Sequence, residues 1–137
     1  MNKFIIYGEP KGKGRPRFTR AGTAYTPTQT RDYEKLVQQS FRIANRGMQP
    51  YSKDIALSVS IEAYFGTPKS ASRIKRSQML SHSIRPLKKP DTDNIAKIVL
   101  DALNGLAYYD DAQVVELILT KQYGEVPCVI VDISKKE

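Results

Sequence analysis

Residues 90–113 read PDTDNIAKIVLDALNGLAYYDDAQ, and this stretch predicts the helix around which the fold is built. Apolar residues recur at the spacing of one helix face, i, i+3, i+4, i+7, i+8 and i+11, at Ile95, Ile98, Val99, Ala102, Leu103 and Leu106. We expect a helix from about Asp93 to Asn104, ended by Gly105. Asp93, Lys97 and Asp101 follow at i, i+4 and i+8, so they form a polar stripe on the same helix.

The segments on either side predict the strands of a sheet. Residues 55–65 alternate between apolar and mostly polar side chains, which is typical of a half-buried strand. We predict further strands at residues 3–9, 114–123 and 126–133, with the last two joined as a hairpin at Gly124-Glu125.

Two further helices complete the predicted fold. One begins at a cap formed by Thr28 or Thr30 and runs to about Arg46, and the other lies at about residues 70–81 behind a serine cap. The chain has 137 residues, of which 40% are hydrophobic, which suffices for one core. We therefore predict a single α+β domain over residues 1–137, with a mixed or mostly antiparallel sheet and about three helices.

Several classes of protein are excluded by composition. The longest apolar run near the N-terminus is Phe4-Ile5-Ile6-Tyr7, far shorter than a signal-peptide core or the roughly 20 residues of a membrane span. Cys128 is the single cysteine, so no disulfide or cysteine-based zinc site forms within one chain. We expect a cytoplasmic protein with no membrane partner and with Cys128 buried in a strand.

Acidic residues gather at both ends of the predicted central helix. Asp91 and Asp93 stand at its start, and Asp110 and Asp111 follow it. Crowded carboxylates raise each other's pKa, and a bound cation relieves the repulsion. Three aspartates suit Mg²⁺, which can activate water for attack on a phosphodiester, while Lys97 could add positive charge in the transition state or orient a carboxylate. The structural alternative is that the first pair merely caps the helix.

The rest of the chain is strongly basic. Lys and Arg number 22 against 14 Asp and Glu, which gives a formal net charge of +8 and favours nucleic acid first and an anionic membrane surface second. Residues 10–31 and 67–90 contain no acid and flank the aspartates on the N-terminal side. From these runs, which otherwise would only be solvated faces, we select as DNA contacts Lys13, Arg15, Arg17, Arg20, Arg73, Arg76, Lys88 and Lys89.

Four short motifs together resemble a known family. They are KPDTDNIxK at residues 89–97, LDALNG at 100–105, DDxQV at 110–114 and KGRPR at 13–17. The set resembles the RusA-type Holliday junction resolvases, endonucleases that are often carried by phages and prophages. The resemblance is dense over residues 88–123, and elsewhere only the length and the order of elements are compatible.

The resemblance implies the roles of individual residues. Asp91, Asp93 and Asp111 match the carboxylates that hold Mg²⁺, for which Mn²⁺ could substitute, and Lys97 matches a lysine needed for cleavage. Asp110 is then a neighbour of the ligands. The family acts as a homodimer that nicks two strands of a four-way DNA junction symmetrically.

Two other functions remain compatible with the sequence, and the location of the dimer interface is open. The chain could be a basic nucleic-acid-binding module without chemistry, or a metal-dependent nuclease of broader flap or branch specificity. The dimer interface is expected on the helix that contains Tyr33, Val37 and Phe41 or on the strand at residues 55–65, and the sequence favours neither.

Overall fold

The predicted central helix forms as α3 (Thr92–Leu103) in a computed structural model that describes residues 2–137. Its apolar face is buried in the core, where Ile95, Ile98, Val99 and Leu103 are shielded from solvent. Gly105 follows the helix with φ +77°, a left-handed conformation that glycine adopts without steric cost. The prediction of this helix is confirmed, with each boundary one residue earlier.

The sheet has four strands in the order β1-β6-β4-β5. These strands are β1 (Asn2–Tyr7), β4 (Leu57–Gly66), β5 (Val114–Gly124) and β6 (Cys128–Lys135). Strand β6 pairs antiparallel with β1 and β4, whereas β4 and β5 are parallel. A separate two-stranded pair consists of β2 (Arg17–Phe18) and β3 (Ala24–Tyr25). Together with three α-helices, this mixed sheet confirms the predicted α+β class.

The helices pack on one face of the sheet. Helix α1 (Thr28–Ala44) contacts both β1 and α3, and α2 (Arg73–Leu80) contacts β5. Strand β4 turns Leu57, Val59, Ile61, Ala63 and Phe65 into the core under these helices. Its alternate residues are half-buried and mostly polar, so the period-2 pattern correctly separated the two faces.

Among residues 2–137, no helix combines the length and apolar character needed to cross a bilayer.

The predicted hairpin of the last two strands is wrong. Strand β4 lies between β5 and β6, pairing with β5 from Ser58↔Glu116 to Gly66↔Gly124 and with β6 from Leu57↔Lys135 to Tyr64↔Cys128. Strand β4 buries its whole apolar face and so takes a central position, whereas β5 exposes Val115 and Ile118 and suits an edge. The short link between β5 and β6 therefore passes across the end of β4.

Some predicted boundaries and caps also change. Strand β1 ends at Tyr7 because Gly8, with φ +111°, turns the chain. Pro27 occupies the N-cap position of α1 without a side-chain capping bond, and the Thr30 hydroxyl instead accepts from Gly14 N. The serine cap of α2 is confirmed at Ser72, whose side chain accepts from Lys75 N. Cys128 is a buried free thiol at the start of β6.

The turn after α3 depends on a buried hydroxyl. Tyr108 is fully buried and its hydroxyl donates to Leu100 O at 2.7 Å. That carbonyl lacks its usual helical donor, because Asn104 N binds Asp101 O instead. Desolvation, with the nearby negative charges of Asp111, Asp101 and Asp110, raises the pKa of Tyr108.

We expect Tyr108→Phe to lower the free energy of unfolding by about 1–2 kcal/mol, because the buried Leu100 carbonyl loses its partner. Urea denaturation measures the loss. Tyr109→Phe is the matched control, since its ring is half exposed, and it should leave the midpoint unchanged. Equal midpoints for the two variants would refute a structural role for the Tyr108 hydroxyl.

Candidate active site

Asp91 and Asp93 stand at the N-terminal end of α3 with their carboxylates exposed. Asp91 is the N-cap residue, but its side chain makes no capping bond and Oδ1 instead accepts from Asn94 Nδ2 at 2.6 Å. Desolvation alone would raise the pKa of Asp91, but hydrogen bonds with Asn94, Asp93 and the backbone together outweigh it and lower that pKa. Neither side chain therefore makes the capping hydrogen bond that was the structural alternative to metal binding.

Asp110 and Asp111 stand beyond the other end of α3, at a 3₁₀ turn (Asp111–Gln113). Asp110 caps this turn, because its Oδ1 accepts from Ala112 N at 3.3 Å while Gln113 Oε1 accepts from Asp110 N at 3.2 Å. Asp111 is half-buried, and Asn104 Oδ1 accepts from its backbone N–H at 2.8 Å. Burial, the adjacent Asp110 carboxyl and the charge of Asp101 raise the pKa of Asp111.

The two acidic pairs lie at opposite ends of one helix. Asn104, which holds the Asp111 backbone, caps the C-terminal end of α3, and Asp93 lies in its first turn. At 1.5 Å per residue these positions are roughly 16 Å apart along the axis. Within residues 2–137, no three His, Cys, Asp or Glu side chains stand close enough to hold one ion. The donors suit Mg²⁺ in type, but a single chain does not bring the predicted three together.

Lys97 projects from α3 into solvent, and its ammonium has no carboxylate within ion-pair distance in the described part of the chain. The polar stripe on this helix therefore does not pair internally. Asp101 is engaged by Lys13 instead, with Lys13 Nζ 3.4 Å from Asp101 Oδ2. Lys97 keeps its charge available to a ligand.

The basic loop at residues 10–17 is attached to helices α1 and α3. Lys13 N donates to Asn94 O at 3.0 Å, and Lys13 Nζ lies 2.7 Å from Glu34 Oε2. Gly12 allows this approach, because a Cβ there would lie 2.8 Å from Pro90 Cβ. Burial opposes the charge of Lys13, but Glu34 and Asp101 outweigh it and raise the pKa of Lys13. The Lys13 ammonium, predicted to contact DNA, is thus engaged within the protein, and its role toward DNA stays a prediction.

We expect Lys13→Met to lower the free energy of unfolding by about 1 kcal/mol, because Glu34 and Asp101 lose their shared cation while half-shielded from solvent. Guanidinium denaturation at low salt measures the change. Lys11→Met is the control, since Lys11 is exposed in the same loop. If the losses of Lys13→Met and Glu34→Gln simply add in the double variant, the ion pair does not stabilise the loop.

A cleft of about 690 Å³ opens between this loop and the segment that precedes α3. Of the predicted site residues it is lined by Lys13, Arg15, Arg17, Lys88, Lys89 and Asp91. The remaining predicted DNA contacts lie outside it, with Arg20 in the turn between β2 and β3 and with Arg73 and Arg76 on α2. The cleft therefore joins basic side chains to Asp91, one member of the first acidic pair.

Three site residues were missed by the sequence analysis. Asn94 and Asn104 bind Asp91 and the Asp111 backbone, and their position at the ends of an Asp-flanked helix was an available signal. Lys121 donates to Lys88 O across the cleft rim. No local pattern in the sequence predicts that contact, because it joins the edge strand β5 to a loop 33 residues away.

Two comparisons with known proteins cover nearly the whole chain. A family model described as Endodeoxyribonuclease RusA matches residues 7–134. The "Uncharacterized protein YqaN" of Bacillus subtilis (strain 168) is 39% identical over 141 residues, which cover 97% of this chain and 95% of that protein. The matched range contains both acidic pairs, Lys97 and the basic loop.

Proposed function

We propose that this chain, which belongs to the endodeoxyribonuclease RusA family, resolves four-way DNA junctions by paired, Mg²⁺-dependent nicks in the cytoplasm, with Mn²⁺ as a substitute. The observation that carries the proposal is the exposed pair Asp91 and Asp93 at the start of α3, neither making a capping bond, with Asp91 lining a basic cleft. Phosphate contacts in that cleft would bring a phosphodiester to the carboxylates.

Asp91, Asp93 and Asp111 are the proposed metal ligands. The engagement of Asp110 in a cap favours Asp111 as the third ligand. Burial and the neighbouring carboxylates raise the pKa of Asp111, and a bound cation would favour its charged form. Mg²⁺ held by these residues would lower the pKa of a bound water and stabilise charge on the reacting oxygens. Lys97, free of ion pairs, would stabilise the negative charge that develops at the phosphate.

A homodimer is required by this assignment, because one chain holds the two parts of the site at opposite ends of α3. A two-fold arrangement can set the N-terminal end of α3 in one subunit beside Asp111 of the other, and symmetry then supplies two sites. Two sites match the two symmetric cuts of junction resolution. Tyr33, Val37 and Phe41 of the candidate helix α1 are buried in the monomer core, as is the apolar face of β4. A dimer contact on either element would therefore use its other residues.

The direct test is to incubate the protein with labelled four-way junction, flap and plain duplex DNA, each with Mg²⁺ and with EDTA. We expect paired nicks in the junction with Mg²⁺ alone and intact duplex throughout. Binding of every DNA without any cut, with Mg²⁺ or Mn²⁺ present, would identify a non-catalytic binding module. Flap cleavage as fast as junction cleavage would identify a nuclease of broader specificity.

A further inference from the structure

One apolar side chain projects into solvent from a basic stretch of the chain at residues 85–89. Leu87 is 96% exposed, more than any other large hydrophobic residue described, and it lies four residues before Asp91. Scattered exposed hydrophobic residues are ordinary. Leu87 differs because its neighbours in the chain are fixed and cationic.

The backbone that carries Leu87 is held on both sides. Arg85 Nη1 donates to Lys121 O at 2.9 Å and to Gln122 Oε1 at 3.2 Å, which ties the preceding residues to β5. Lys121 Nζ donates to Lys88 O, which ties the following residue to the same strand. Pro86 is buried between these attachments. Leu87 is therefore presented by a fixed turn.

The charge around Leu87 is not neutralised within the described residues. Lys88 Nζ and Lys121 Nζ lie 5.7 Å and 5.3 Å from the centroid of the Phe65 ring. None of Arg85, Lys88, Lys89 and Lys121 belongs to an ion pair within residues 2–137. Two neighbouring ammonium groups without a carboxylate favour a polyanion at this surface.

We propose that Leu87 is a wedge that contacts unstacked bases at the branch point of DNA, while Lys88 and Lys89 hold the flanking phosphates. The inference rests on the proposed junction substrate and adds the group that distinguishes a branch from a duplex. When an apolar side chain inserts between base steps, its new contacts offset the free energy lost by unstacking. A branch lowers that cost, because stacking is already interrupted there, whereas a continuous duplex gives Leu87 no apolar partner.

The test compares Leu87→Ala with Ile43→Ala, which removes a similar exposed side chain from α1. Binding is measured with EDTA on a four-way junction and a duplex, with 2-aminopurine next to the branch point. We expect Leu87→Ala to weaken junction binding on the order of tenfold, the loss for most of one leucine side chain buried on binding. Duplex binding should not change, and the fluorescence rise on binding should be lost. Ile43→Ala should match wild type, and Leu87→Met should restore both signals.

Each result separates this inference from the function it builds on. Unchanged junction affinity and fluorescence in Leu87→Ala, with a wild type that prefers the junction, would overturn the wedge and leave the proposed function standing. A wild type with no preference for branched DNA would overturn both. Sedimentation of Leu87→Ala as a monomer, where wild type is a dimer, would assign Leu87 to a subunit contact and also overturn the wedge.

Discussion

The Asp93→Asn variant is expected to cut a four-way junction on the order of a thousandfold more slowly than wild type, or not detectably, while binding it at least as tightly. The amide is a poorer Mg²⁺ ligand than the carboxylate, so metal-dependent chemistry is lost. Removing one negative charge beside the cleft reduces repulsion toward DNA phosphate, so binding persists. Single-turnover cleavage and gel-shift titration measure the two quantities separately.

The control is Asp32→Asn, which makes the same change at an exposed position on α1 outside the cleft. It should cut and bind like wild type. Asp93 is exposed and makes no capping bond, so its replacement should not alter the circular dichroism spectrum. Full cleavage by Asp93→Asn would remove Asp93 from the metal ligands, and loss of binding with an intact fold would assign it to DNA contact.

A mixed dimer of Asp93→Asn and Asp111→Asn subunits is expected to regain nicking that neither variant has alone. If each site combines Asp93 of one subunit with Asp111 of the other, both substitutions fall in one site and leave the second intact. Such a dimer should nick one strand at about half the wild-type number of sites and should not resolve the junction. Co-expression with two affinity tags isolates the mixed species for a nicking assay on supercoiled cruciform DNA.

The matched control is the mixed dimer of Asp91→Asn and Asp93→Asn. Both substitutions lie at the same end of α3, so each of its two sites carries one and the dimer should be inactive. A site formed within one chain predicts inactivity for both mixtures. Equal inactivity of the two mixed dimers would therefore reject the shared site.

Local patterns predicted the helices and strands well because each reflects burial of nearby residues. The spacing from Ile95 to Leu103 reports one buried face, and the alternation in residues 57–66 reports another. Neighbour relations in the sheet do not follow from such patterns. The short link after Gly124 suggested a hairpin, yet the burial of β4 gave it the place between β5 and β6. That outcome depends on competition among distant strands.

For the candidate site, too, the sequence predicted the residues but not their arrangement in space. Asp91, Asp93 and Asp111 were identifiable from residue type and resemblance, but their separation by the length of α3 required coordinates. Lys13 was predicted to contact DNA because it lies in an acid-free run. Its pairing with Glu34 and Asp101 joins three distant parts of the chain, and no local feature of the sequence indicates it.

The position of β6 in the sheet affects how the chain folds during synthesis. Strand β6 follows every other strand in the chain, yet it separates β1 from β4 and pairs Ile133 with Asn2. In the sheet β1 pairs with β6 alone, so its partner is the last strand of the described chain to be synthesised. Contacts between residues so far apart in sequence slow folding, because the entropy of closing a long loop is lost before the contact forms. The cleft, one wall of which follows β1, is therefore completed only after translation has passed β6.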